Sequence, residues 1–496
     1  MEEQIQISDL MAQSGVGFGT SGARGLAKDM TDRVCYAYTA AFIQYLEEQK
    51  ELNGKDVIAL GGDLRASTDR IMKAAARAVV DRGCQIRCCG RLPSPALACY
   101  GLLKQIPTIM VTGSHIPEDR NGIKYTRKKG EILKQDEAGI RRQEVHIPPG
   151  LFDAKGMFVS EGPALVPDSQ ASDLYVERYL RLFPYNALKG KRIGVYQHSA
   201  VGRDLLVRIL SGLGAEVTAL GFSEEFVPVD TEAIRPEDVT AAKRWAEEYG
   251  FDAIVSTDGD SDRPLISDES GKWLRGDVAG ILCAAFLGAD AVATPVSCNS
   301  AVEKCGLFQK VYRTRIGSPY VIEGMEQALG DGFLRVMGYE ANGGFLTASD
   351  IRSGGRMLTA LPTRDAVIPI IAVLLLSIQK GKPVSRLILE LPRRFTYSDR
   401  LKNFPAEISR ARLNELITGE EVRDRAAIER VFGKYFGKAA SIDATDGVRI
   451  TFQNEEIVHL RPSGNAPEFR CYTEADTETR AMEMNRICLE IMATWR

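Results

Sequence analysis

One local pattern recurs three times in the chain: an apolar strand, a polar loop, a helix, a glycine and a second apolar strand. The first copy has Val57-Ile58-Ala59-Leu60, a loop from Gly61 to Ala66, a helix predicted over 67–82, Gly83, and a strand over 85–89. The second has Ile193-Gly194-Val195-Tyr196, a helix over 201–213, Gly214, and a strand over 216–220. The third has Ala291-Val292-Ala293-Thr294, a short helix over 301–304, Gly306, and a strand over 310–312. Strand–helix–strand order implies right-handed parallel crossovers with helices on the sheet faces. Three α/β units of one type are therefore expected as far as the turn at Gly381 to Pro383.

The remainder reads differently. Arg393 to Tyr397, strands over 447–452 and 457–460, and a helix over 476–492 suggest a small α+β domain. Linkers fall near Pro148-Pro149-Gly150, Ser270-Gly271 and Gly381 to Pro383, which predicts domains over 1–152, 153–273, 274–386 and 387–496. A ligand site is expected in a cleft between domains.

Charge and composition bound the partner. With 63 Lys+Arg against 66 Asp+Glu the net charge is −3, so no broad basic footprint points to nucleic acid or anionic lipid. The longest apolar stretch, Ala366 to Ile378, is 13 residues and reads as a buried helix, since a membrane span needs roughly 18 or more. Met1-Glu2-Glu3 places acid where a signal or transit peptide carries base, so a cytoplasmic protein is expected. Ten irregularly spaced cysteines indicate a reducing compartment. Cys84, Cys88, Cys89 and Cys99 could be offered as a zinc site, but they lack paired C-x-x-C spacing, and buried thiols are the expectation.

Five loops carry potential chemistry. Asp258-Gly259-Asp260-Ser261-Asp262-Arg263 follows the apolar run Ala253 to Ser256. Its three alternating carboxylates can converge on a hard cation such as Mg²⁺, with Arg263 beside them for a phosphate or carboxylate. An EF-hand frame would add Glu269, but Arg263 stands where that loop needs glycine, and a strand leads in. Thr112-Gly113-Ser114-His115-Ile116-Pro117 offers an exposed serine nucleophile with His115 and Lys124 nearby, or simply a turn serine. Arg461-Pro462-Ser463-Gly464-Asn465-Ala466-Pro467-Glu468-Phe469-Arg470 could cradle an oxyanion or be an ordinary turn. Gly338 to Gly344 supplies Glu340 and Asn342 for sugar hydroxyls, or a structural turn. Gly17 to Gly25, which contains Arg24, is glycine-rich without matching a nucleotide fingerprint.

Together and in this order, the five loops resemble those of the α-D-phosphohexomutase family, the phosphoglucomutases and phosphomannomutases, across the whole chain. The resemblance implies a heart-shaped enzyme of four domains, three related α/β domains with mixed sheets and a C-terminal α+β domain, each giving a loop to a central cleft. It implies that Ser114 carries a phosphoryl group and that Mg²⁺ is held by Asp258, Asp260, Asp262 and an oxygen on Ser114. The phosphoryl would pass to a hexose phosphate, giving a 1,6-bisphosphate that also serves as activator. Arg24, Lys124 and Arg263 would neutralise charge, with Lys124 and His115 as candidate acid/base groups. Glu340 and Asn342 would read the sugar, and Arg461, Ser463, Gly464, Asn465 and Arg470 would grip the idle phosphate.

Many bacterial members have Glu-x-Ser-Gly-His in the sugar loop, whereas this chain has Asn342 in the serine position and Gly344 in the histidine position. The expected activity is interconversion of hexose 1- and 6-phosphates, mannose favoured over glucose. The expected partners are small hexose phosphates, with no nucleic acid and no membrane, and the chain is expected as a monomer or homodimer. The rivals are a phosphoglucomutase, a phosphatase built on the aspartate loop, and a sugar-phosphate-binding relative without turnover.

Overall fold

The computed structural model describes residues 3–19, 22–463 and 467–496. The apolar runs become central strands. Val57–Gly62 lies between Gln85–Arg91 and Thr108–Val111, all parallel, and Arg120–Arg127 then pairs antiparallel with Thr108–Val111. Gly22–Leu26 and Gly17–Phe18 extend that sheet, so the glycine-rich segment is itself partly strand.

The second and third sheets repeat the plan. Arg192–His198 is flanked in parallel by Glu216–Phe222 and Ala253–Thr257, with Pro264–Ile266 antiparallel beyond. Ala291–Pro295 is flanked in parallel by Lys310–Thr314 and Val336–Tyr339, with Phe345–Thr347 and Leu361–Asp365 antiparallel beyond. Three related α/β units with mixed sheets are thus present, each with one strand order. In every copy the third parallel strand turns back as an antiparallel neighbour, and the turn holds candidate residues singled out from the sequence: 112–119, 258–263 and 340–344. These turns lie beyond the carboxyl ends of the parallel strands, where open α/β sheets bind ligands.

The C-terminal sheet is wholly antiparallel, in the order Phe395–Lys402, Glu468–Ala475, Ile457–Pro462, Val448–Phe452, Ala439–Asp443. Helices Ala406–Leu416, Glu421–Phe436 and Glu478–Ala493 accompany it, and the first two were not expected from the sequence. Its core, built on Phe404, Phe432, Phe452 and Phe469, is separate from the rest.

One apolar cluster joins the other three units, running through Tyr100, Tyr175, Val195, Ile281 and Ile371, and each of the three also has a cluster of its own. The apolar stretch forms the buried helix Val367–Lys380, with Pro369 in its first turn, where no amide hydrogen bond is lost. No helix among the described residues is long and apolar enough to cross a membrane. The cysteines are free, and Cys84, Cys88, Cys89 and Cys99 are buried as small hydrophobes.

Asp365 pins the third sheet to the helix Gln170–Leu182. Its buried carboxylate accepts from the Tyr175 hydroxyl at 2.7 Å and also from the Tyr179 hydroxyl. Asp365→Ala strands both buried hydroxyls, at about 1–3 kcal/mol each. A lower urea midpoint and faster amide exchange over 361–365 are the expected results.

Candidate active site

The serine loop is shaped by two residues that carried no motif, Asp63 and Arg65, just past the strand Val57–Gly62. The Asp63 carboxylate accepts from Thr112 Oγ1 at 2.7 Å, Gly113 N at 3.3 Å and Thr68 Oγ1 at 2.7 Å. Arg65, 1% exposed, pairs with Asp63 at 3.2 Å. Its guanidinium donates to the carbonyls of Ser114 (2.8 Å), Ile116 (2.6 Å), Pro117 (2.6 Å) and Arg120 (3.0 Å). The Phe226 ring covers it at 4.0 Å. Gly113 is required here, because a Cβ would fall 2.5 Å from Arg65 Cζ.

This clamp holds Ser114 at φ +55°, a left-handed conformation costing a non-glycine residue about 1–3 kcal/mol. Ser114 Oγ then donates to Asp258 Oδ2 at 2.9 Å.

The three aspartates converge as their spacing suggested. Asp258, Asp260 and Asp262 are buried, with ligand atoms within 4.8 Å of one another. The turn is fixed from the second sheet: Ser261 Oγ accepts from Gly202 N at 2.9 Å and Thr257 Oγ1 at 2.8 Å, and Gly259 O accepts from Val201 N at 3.0 Å. Lys124 Nζ donates to Asp260 Oδ2 at 2.6 Å and Asp262 Oδ2 at 2.8 Å, and Ser94 Oγ donates to Asp260 Oδ2 at 2.6 Å. Asp260 Oδ1 and Asp262 Oδ1 remain buried without a hydrogen-bond partner. Such orphaned anionic oxygens are costly and fit a cation. Glu269 lies apart from this cluster, accepting from Ser385 N at 3.2 Å, so the EF-hand frame is not realised.

Burial sets the electrostatics. It drives the Asp258 carboxyl well above its ordinary range, and repulsion from Asp260 and Asp262 adds to that. Burial opposes ionisation of Asp260 too, but the Lys124 charge and hydrogen bond overcome it and hold that carboxyl low. Lys124 is desolvated, yet Asp260 and Asp262 raise it, so it stays an ammonium. Burial pushes His115 well below the ordinary imidazole value, and Arg263 and Arg24 add to this. Arg263 Nη1 lies 2.7 Å from His115 Nδ1, which accepts, so the neutral ring carries its proton on Nε2. Arg24 is lowered to about 10 by burial and by Arg263.

The sugar-loop candidates are buried on the same cluster. Glu340 pairs with Arg364, whose Nη1 also reaches Asp262 Oδ2 at 3.4 Å. Arg364 had no motif to mark it. Asn342 spends its side-chain oxygen on Gly344 N at 2.9 Å, closing the turn.

In the C-terminal sheet Arg461 and Arg470 are cross-strand partners. Arg461 Nε sits 2.9 Å from Asp446, and Arg470 donates to Glu468 at 3.3 Å. Ser463 is buried beside them; Gly464 and Asn465 lie outside the described residues.

Comparison with known proteins agrees with this geometry. Four models described as phosphoglucomutase/phosphomannomutase match in order: alpha/beta/alpha domain I over 15–145, domain II over 173–271, domain III over 275–395 and the C-terminal domain over 410–490. A phosphomannomutase of Salmonella muenchen is 45% identical over 477 residues, covering 95% of each chain. One of Sinorhizobium fredii is 43% identical over 462 residues, covering 93% of this chain and 95% of its own. A putative phosphomannomutase from Thermus thermophilus, 20% identical, shares the fold with a TM-score of 0.73 over 96% of this chain and 99% of its own. The chain belongs to the phosphoglucomutase/phosphomannomutase family.

Two expectations follow. Arg65→Lys cannot span the four carbonyls, so amide protection over 112–120 should fall and the mutase rate should drop roughly 100-fold, the size of effect a misplaced reacting group produces. His198 and His459, each hydrogen-bonded to a backbone oxygen, are both pushed down to about 4 by burial. Unfolded imidazole titrates near ~6.5, so below that pH the unfolded chain binds more protons. Stability is therefore complete above that value and is lost as pH falls toward 4; imidazole NMR titration and urea midpoints between neutral and acid pH test it.

Proposed function

We propose that this phosphohexomutase interconverts mannose 1-phosphate and mannose 6-phosphate through a phosphoryl group on Ser114 and a mannose 1,6-bisphosphate. The observation that carries the reading is Ser114 Oγ, 2.9 Å from Asp258 in a triad that keeps two oxygens without a hydrogen bond and is ringed by Lys124, Arg263 and Arg364. Asp258, Asp260, Asp262 and a Ser114 oxygen would hold Mg²⁺, which when bound supplies positive charge to the phosphoryl group in transfer. The preference for mannose is supported by the two bacterial phosphomannomutases, 45% and 43% identical over nearly the whole chain.

In this scheme the Ser114 Oγ–P bond breaks as a sugar hydroxyl oxygen bonds to phosphorus, Lys124 giving its proton to the departing Oγ and taking back the proton that the hydroxyl loses. The bisphosphate then turns over and returns its other phosphoryl to Ser114. Phosphoryl transfer depends mostly on positioning and charge neutralisation. Arg24 and Arg263 would face the transferring group. Lys124, kept as an ammonium, is assigned proton donation, and His115, neutral, donates a hydrogen bond from Nε2. Glu340 would read sugar hydroxyls, with Asn342 shaping its turn. Arg461, Ser463, Gly464, Asn465 and Arg470 would hold whichever phosphate is idle, so one grip orients the sugar in both halves of the reaction. We assign the work to four domains over 1–152, 153–273, 274–386 and 387–496, and the enzyme to the cytoplasm.

³¹P NMR with Mg²⁺, the bisphosphate and either mannose 1-phosphate or glucose 1-phosphate tests this. The expected result is 6-phosphate from both, a higher kcat/KM for mannose, and loss of at least ~1,000-fold in Ser114→Ala. A higher value for glucose would make the enzyme a phosphoglucomutase. Inorganic phosphate alone would indicate a phosphatase, and unchanged sugars a binding protein.

A further inference from the structure

Arg364 is buried, 4% exposed, and lies on the strand Leu361–Asp365 outside every motif. Its backbone is pinned on both sides. Thr363 donates its hydroxyl to Glu131 of the first unit, and Asp365 takes the Tyr175 and Tyr179 hydroxyls. Side chains alternate along a strand, so Arg364 points away from those neighbours, toward the cleft. There its Nε holds Glu340 and its Nη1 reaches Asp262 at 3.4 Å.

The sugar loop makes room for this side chain. A Cβ on Gly344 would fall 2.5 Å from Arg364 Cδ and 2.8 Å from Cγ. Gly344 is not in the left-handed region, so what it provides is space. A carboxylate that reads sugar hydroxyls must be fixed in direction, and a guanidinium on a clamped strand fixes it.

We infer that Arg364 is the positioning residue of the sugar-reading carboxylate: it aims Glu340 and ties it to Asp262, so the geometry of sugar recognition is set from the metal-type loop. This rests on the reading of Glu340 given above. Because Arg364 acts through Glu340, the two should behave as one unit in a double-mutant cycle.

Calorimetric titration of mannose 6-phosphate and glucose 6-phosphate, beside kcat and KM, tests it on Arg364→Gln, Arg364→Lys, Gly344→Ala, Glu340→Gln and the Arg364→Gln/Glu340→Gln pair. Arg364→Gln and Glu340→Gln should each weaken hexose phosphate binding roughly tenfold, the scale of one charge-assisted hydrogen bond, and bring the mannose-to-glucose ratio to a common value. The loss should lie in KM more than in kcat, and the double variant should bind no more weakly than Glu340→Gln alone. Arg364→Lys should recover part of the loss. Gly344→Ala, which keeps both charges but displaces the arginine stem, should shift the ratio the same way and covers the case in which Arg364→Gln does not fold.

Parental affinity and ratio in Arg364→Gln, or in Gly344→Ala should the former not fold, would overturn the inference. So would losses that multiply in the pair. If Glu340→Gln itself binds both sugars as the parent does, the sugar-loop reading fails and takes the inference with it. Absence of turnover in the parent would count against the mutase reading, while the binding titrations would still decide the role of Arg364.

Discussion

Three carboxylates buried within one turn are the constraint to which the rest of the molecule answers. Each desolvated charge costs several kcal/mol unless it is paired. The compensation comes from three directions: Lys124 from the first sheet, Arg263 from the aspartate turn itself, and Arg364 from the third sheet. None of the three sheets can move away from the others without uncovering part of that charge. The pairing leaves Asp260 Oδ1 and Asp262 Oδ1 without a hydrogen bond, with Arg263 Nε 3.5 Å from the latter, so the counter-charge is incomplete from the protein side. A site balanced in this way holds its geometry and still has a place for a divalent ion.

The repeated strand order explains how the parts meet. Because each copy reverses direction after its third parallel strand, each sends an equivalent turn toward a common centre. The turns approach so closely that backbone meets backbone. A Cβ on Gly259 would lie 2.7 Å from Ser114 O, and one on Gly276 would lie 2.1 Å from Gly343 N. Gly259 permits the seam between the first and second units, and Gly276 lets the chain entering the third unit meet the 340–344 turn. One architecture used three times thus yields the Ser114 turn, the aspartate cluster and the Glu340–Asn342 turn, differing in the residues each copy places there.

What could be read from the sequence was whatever lay next to an apolar run. Ser114 and the Asp258–Arg263 turn follow buried strands directly, so their placement at strand ends was legible, and so was the switch to a different C-terminal unit. Asp63, Arg65 and Arg364 were not, because their importance lies in contacts made across tens or hundreds of residues. Arg65 could have been suspected from an Asp and an Arg two apart at the end of an apolar strand. The helix Glu421–Phe436 left a clearer trace, with Ile428, Phe432 and Phe436 spaced by four, but its charged remainder reads as loop. The EF-hand frame failed for a topological reason: Glu269 sits after the return strand Pro264–Ile266, which carries it away from the turn.

The C-terminal unit is attached by different physics. One apolar cluster spans the first three units, beside clusters each keeps for itself, while the fourth has only its own. Its seam with the third is polar: Ser300 N donates to Glu474 at 3.0 Å, and Asn299 Nδ2 donates to Arg394 O at 2.8 Å. Hydrogen bonds at such a seam can be traded for water at little net cost, whereas parting an apolar core exposes its whole area. Relative motion is therefore cheapest at this seam. It is also the seam that carries the phosphate-type arginines. Asp446 accepts from Ile316 N of the third unit at 2.9 Å and pairs with Arg461 at 2.9 Å. One carboxylate thus joins the seam and aims the arginine, so any shift between the units changes where Arg461 points.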